Sequence, residues 1–79
     1  MKIFNNICNY IGENNFRMIF YLDMIDIINY DSIKEISSRK IIISSEKDII
    51  IEGKNLSINK LLNKEVFIIG NIKSISLDE

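Results

Sequence analysis

The side chains that most enzymes use for chemistry are scarce in this chain. There is no histidine and a single cysteine, Cys8, so a nucleophile there has no imidazole to activate it and no second thiol to resolve it. Cys8 reads instead as a small apolar residue, and a lone thiol that cannot close an internal disulfide suits a reducing compartment. A metal would have to rely on oxygen ligands. Asp23, Asp26 and Asp31 come nearest to a cluster, but they are irregularly spaced and lack the glycine-centred loop of a calcium hand. They read as solvated charges at strand ends. Carboxylate pairs such as Glu46/Asp48 and Asp48/Glu52 have the composition of an acid–base dyad, yet nothing in the sequence around them suggests a pocket that would raise one pKa. Gly12, Gly53 and Gly70 lie too far apart to cradle a phosphate together. No enzyme activity, cofactor or metal is expected.

One cluster remains. Phe16, Arg17, Phe20 and Tyr21 place aromatic rings beside a cation, the pattern by which small β-barrels stack single-stranded nucleic acid. The charge balance opposes that alternative, because ten Lys+Arg against eleven Asp+Glu give a formal net charge of -1. A core strand uses the same rings for packing, and no nucleic-acid partner is expected.

The elements that must position these residues follow from composition and pattern. In 79 residues, 47% are hydrophobic and 27% charged, the balance of one small globular domain with a thin core. Isoleucine dominates the apolar set, whereas alanine is missing; β-branched side chains that are stiff at χ1 favour sheet over helix. No apolar run reaches the ~20 residues that a membrane-spanning helix needs, and no signal peptide is visible at the start, so a cytoplasmic location is expected. Residues 1–15 stand apart. Ile3, Ile7, Tyr10 and Ile11 recur at helical spacing up to Gly12, which predicts a short N-terminal helix or flexible segment, usable for capping the sheet or for docking.

From residue 16 to 79 the pattern is that of strands. Phe16–Leu22 and Met24–Ile28 lead to a turn at Asn29–Ser32, and Ser32–Ser37 reads as a partly exposed strand. Ile41–Ile43 and Ile49–Ile51, joined by a short polar connection, predict a hairpin. Gly53-Lys54-Asn55 reads as a tight turn because glycine and asparagine both tolerate positive φ, Leu56–Asn59 as an alternating strand and Lys60–Lys64 as a loop. Glu65–Ile69, a turn at Gly70-Asn71 and Ile72–Leu77 complete the chain. The segment from Ile49 to Ile58 echoes that from Val66 to Ile75 at a constant offset, which two consecutive β–turn–β units would explain. The whole predicts an all-β fold: a small antiparallel sandwich or roll of about seven or eight short strands.

At this point the residues resemble a known family. The stretch IIIEGKNLSINKLLNKEVFIIGNIKSI, residues 49–75, is similar to the C-terminal signature of the YabP/YqfC sporulation protein family. Gly53, Asn55, Leu56, Ile58, Glu65, Val66, Ile68, Gly70, Ile72 and Ser74 stand at the matching positions. Upstream, IDIINYDSIKEIS resembles the strand–Asn–turn–strand segment of the YqfC-like branch, so that the likeness covers residues 24–77, while residues 1–15 match poorly. The resemblance implies an all-β domain over 16–79 with no known enzymatic activity. It also implies a role by protein contact in spore envelope assembly in the mother cell, and a membrane-anchored sporulation protein as a partner. The matching residues are structural, with Gly53, Asn55, Leu56, Gly70 and Asn71 as the turn motif. Ile-rich strands in so small a domain should also leave apolar surface or a free edge for a partner or a second copy. An orphan structural module of a non-sporulating organism is the remaining alternative.

Overall fold

A computed structural model of the chain describes residues 2–4, 10–11 and 15–78. The strands are β1 (Lys2–Phe4), β2 (Tyr10–Ile11), β3 (Arg17–Phe20), β4 (Met24–Ile28), β5 (Ser32–Ile36), β6 (Lys40–Ser44), β7 (Asp48–Leu62) and β8 (Glu65–Asp78). All pairings are antiparallel, in the order β2-β3-β4-β8-β7-β6-β5, with β1 added to β8. Hydrogen bonding runs through one continuous sheet, where the sequence led us to expect the sandwich form as one option. There is no α-helix among the described residues.

Over residues 1–15 the sequence predicts a helix, but Lys2–Phe4 and Tyr10–Ile11 are extended and pair with β8 and β3. Ile3, Tyr10 and Ile11, which mark the helical spacing, and Phe4 beside them are β-branched or aromatic residues, and two sheet margins offer them backbone partners. Cys8 and Gly12 lie outside the described residues.

Two long strands organise everything else. β7 has 15 residues and β8 has 14, and they are joined by a tight turn at Asn63-Lys64 in which Lys64 has φ 65°. The first part of β8, residues 65–69, lies between β4 and the second part of β7; the second part of β8 lies between β1 and the first part of β7. The sheet therefore has a β4 half (β2, β3, β4, residues 65–69 and 57–62) and a β6 half (β5, β6, residues 48–53 and 72–78, with β1).

Gly53 and Gly70 mark the passage between the halves, and here the tight-turn expectation is corrected. Both lie inside strands, with Gly53 opposite Ile72 and Lys54 opposite Asn71, beside register shifts at Glu52/Gly53 and Lys54/Ser57. A Cβ on Gly53 would collide with the Asn71 carbonyl oxygen, and one on Gly70 would lie 2.6 Å from the Asn55 carbonyl oxygen. Glycine is needed at these positions because two backbones pass in contact. Gly70 also has φ 132°, and Asn55 supplies the other positive φ at 54°. The internal echo is thus the two strands of one long hairpin, each bulged where it changes partners. Gly53 N–H and Leu56 N–H leave the β7–β8 ladder to donate to the carbonyls of Arg39 and Ser38, at 3.0 and 2.9 Å.

One face of this sheet is the core. Met18, Ile25 and Ile27 join Ile41, Ile43, Ile49 and Ile51, and Val66 and Ile68 join Ile75 and Leu77, in a single cluster with Phe16, Tyr30 and Leu56. Period-two alternation along β4, β6, β7 and β8 sends these side chains to one side. Ten of them are less than 2% exposed. The predicted Ile41–Ile43/Ile49–Ile51 hairpin is present, with Ile41 opposite Ile51 and Ile43 opposite Ile49.

Candidate functional site

The outer face of the β4 half carries the one unusual polar group. Asp26 sits at the middle of β4, opposite Ile19 of β3 and Phe67 of β8. Its neighbours Ile25 and Ile27 fill the core, so alternation points Asp26 away from it. Yet Asp26 is only 5% exposed, and Ile19, Met24, Ile28, Phe67 and Ile69 are half-buried on the same outer face. The expectation that Asp23, Asp26 and Asp31 are solvated strand-end charges holds for exposed Asp23 and Asp31 and fails for Asp26.

Glu65 is the diagonal neighbour of Asp26, two register pairs along the β4–β8 ladder. Burial pushes the Asp26 carboxyl from its ordinary 3.8 up to about 7, and a hydrogen bond with Glu65 and repulsion from its charge add to the rise. In its protonated form the Asp26 hydroxyl donates to Glu65. The remaining atom, Oδ1, is buried without a hydrogen-bond partner among the described residues. A buried carboxyl with an unused acceptor is costly unless protonated or met by a donor. Arg17 lies on the same face, opposite Ile28 in the row that continues to Glu65, and Lys60 lies beyond Phe67.

The other pairs drawn from the sequence do not converge. Asp48 binds Lys34 at 2.9 Å across β5 and β7, and Glu52 lies four residues farther along an extended strand, roughly 13 Å away. Glu46 belongs to the bend before β7. No group of three or more Cys, Asp or Glu residues able to hold a metal is found among the described residues. The aromatic cluster divides between the two faces: Phe16 is in the core and Phe20 packs against it, while Tyr21 is 48% exposed and Arg17 is exposed on the outer side. They form no shared stacking platform.

The turn-motif residues do structural work. Gly53, Asn55, Gly70 and Asn71 make the crossing of β7 and β8, and Leu56 drops into the core. Beyond Leu56 the outer side of β7 is without a strand partner among the described residues, and its last residues carry Leu61 and Leu62, 59% and 45% exposed. The opposite margin, β5, differs. It is exposed and polar, broken by a bulge between Ile33 and Glu35, and guarded by Lys34.

Sequence reasoning missed the Asp26–Glu65 pair, although a signal existed. In Met24–Ile28 and in Glu65–Ile69, apolar residues occupy both parities, the mark of a strand that is dry on both faces. A carboxylate within such a strand is buried on whichever face it takes. Among the described residues, no helix is long and apolar enough to cross a membrane. No protein-family model, curated protein or solved structure matches the chain.

Proposed function

We propose that this chain is a non-enzymatic contact module of spore envelope assembly, a member of the YabP/YqfC family acting in the mother-cell cytoplasm at the forespore membrane. The observation that carries the contact role is the unpartnered edge of β7 over residues 57–62, with Leu61 and Leu62 beside it. Such an edge accepts an added strand from another protein, backbone to backbone, with the two leucines supplying apolar contact. The cellular setting rests on the resemblance of residues 24–77 to the family, and a membrane-anchored sporulation protein is the partner that resemblance implies.

The test is genetic. Deleting the gene in its own host should sharply lower the count of heat-resistant spores. A wild-type copy should restore the count, and a Leu61→Asp copy, altered at an exposed position outside the core, should not. Normal spore counts after deletion would overturn the reading.

A further inference from the structure

The register of the β4 half places its outer residues symmetrically about one strand. β4 runs down the middle, with β3 on one flank and β8 on the other, each one strand spacing (~4.8 Å) away. The rows across the face are Arg17–Ile28–Glu65, Ile19–Asp26–Phe67 and Tyr21–Met24–Ile69. In the first row a cation and an anion stand on either side of β4. In the other two rows both flanks are apolar or aromatic.

Consider a half-turn about an axis lying along β4 just above this face. Arg17 then falls over the Glu65 of a second copy, and the second copy's Arg17 over Glu65 of the first. Ile19 meets Phe67 and Tyr21 meets Ile69, again twice each, while Asp26, Ile28 and Met24 meet their own counterparts on the axis. A surface that complements itself under a half-turn is what an isologous dimer requires.

We propose that this face is the interface of a two-fold homodimer, in which Arg17 of each copy pairs with Glu65 of the other above an apolar floor. The inference rests on the contact-module reading and names a second copy of this chain as one of its partners. Three observations support it. Arg17 is exposed and has no ion pair among the described residues. Tyr21 and Leu62, 48% and 45% exposed, extend the apolar floor at its margins. Asp26, on the axis, is itself sealed at 5% exposure, so the floor between the charged rows is apolar. The backbone edge of β7 and Leu61 stay free in this arrangement, so self-association and strand addition are compatible.

The interface should respond to pH. Asp26 faces Glu65 from β8, Arg17 and Tyr21 from β3, and Lys60 from β7 beyond Phe67, and in the dimer also the second copy's Asp26 and Arg17. Two neutral carboxyls facing each other across the axis do not repel, whereas two carboxylates there do. The dimer should therefore hold below neutral pH and weaken above it.

Sedimentation equilibrium of the full chain tests this. At pH 6 the mass should be twice the 9.2 kDa of one copy, and at pH 8 dissociation should occur at about tenfold or more higher protein concentration. Arg17→Glu and Glu65→Arg should each give monomers, and mixing the two in equal amounts should restore a dimer, because both cross-pairs are then opposite in charge. Tyr21→Glu, at an exposed ring outside the core, should also be monomeric with an unchanged circular dichroism spectrum, and it decides the matter where the charge reversals fail to fold. A wild-type monomer at about 1 mM, a dimer that survives Arg17→Glu and Tyr21→Glu, or folded reversal variants that do not recombine, would each overturn the dimer. None of these touches the contact-module reading, which stands or falls on the spore count.

Discussion

The two halves of the sheet share a core and differ on their outer faces. In the β6 half, Ile41, Ile43, Ile49, Ile51, Ile75 and Leu77 point inward, while Lys40, Ser44, Asp48, Glu52, Ser74 and Asp78 face out around Ile42 and Ile50. In the β4 half, Met18, Ile25, Ile27, Val66 and Ile68 point inward, but the outer side is again apolar, with Asp26 sealed in its midst. Folding an antiparallel sheet requires one dry face, and the β6 half shows that one suffices here. The second dry face of the β4 half is therefore surplus to the fold, and surplus apolar surface with complementary charges at its rim is what contact surfaces have.

If the halves are equal partners in the core, truncation should harm them equally. Ile27→Ala in β4 and Ile51→Ala in β7, both fully buried, should each lower stability by about 2–5 kcal/mol, read as matched shifts in urea midpoint. In a domain whose whole stability is on the order of 5 kcal/mol, each comes close to unfolding it. A large difference between the two would mean that the halves do not melt as one unit. Gly53→Ala comes next, at about 1–3 kcal/mol. Its added Cβ must displace the Asn71 backbone, so the crossing that ties the halves together is loosened. Amide exchange should show protection lost first at residues 52–56 and 70–72, before either half opens.

The strands of the β6 half were legible in the sequence because they obey a single rule. Ile-Lys-Ser-Ile-Ser-Leu over residues 72–77 and the two Ile runs separate inward from outward positions or pair across a short polar bend, and the β6–β7 hairpin follows. Ser32–Ile36 was legible as an exposed strand for the same reason. Continuity was not legible. Gly53-Lys54-Asn55 has the composition of a hairpin turn, and nothing local distinguishes a turn from a bulge whose glycine is required by a backbone 18 residues away in the chain, at Asn71. The N-terminal strands were hidden because Ile3, Tyr10 and Ile11 fit a helical stripe, and only the tertiary offer of sheet margins decides against it. The burial of Asp26 was masked by its neighbours. Flanked by isoleucines that take the core, it has the pattern of a solvent-facing residue, whereas Met24, Ile28 and the apolar parity of residues 65–69 make that side dry as well.

The pH-dependent effect is the most diagnostic of the difference between the faces. Asp26 and Ser76 are the buried polar residues of the two outer sides, 5% and 7% exposed, but only Asp26 titrates. Its folded-state pKa of about 7 lies above the ordinary 3.8, so between those values the native state holds a proton that the unfolded chain has released. Stability must then fall as pH rises from about 4 to 7 and level off above. Asp26→Asn is neutral in both states and escapes that fall. Its advantage over wild type should therefore be smallest at pH 4, grow by on the order of 4 kcal/mol by pH 7 and change little from there to pH 8. Ser76→Ala should shift stability by less than about 1 kcal/mol, equally at every pH. Urea midpoints at protein concentrations low enough to keep the chain monomeric separate the cases. A pH-independent difference between Asp26→Asn and wild type would mean that Asp26 is ionised in the folded protein, and that the outer face of the β4 half is as wet as that of its counterpart.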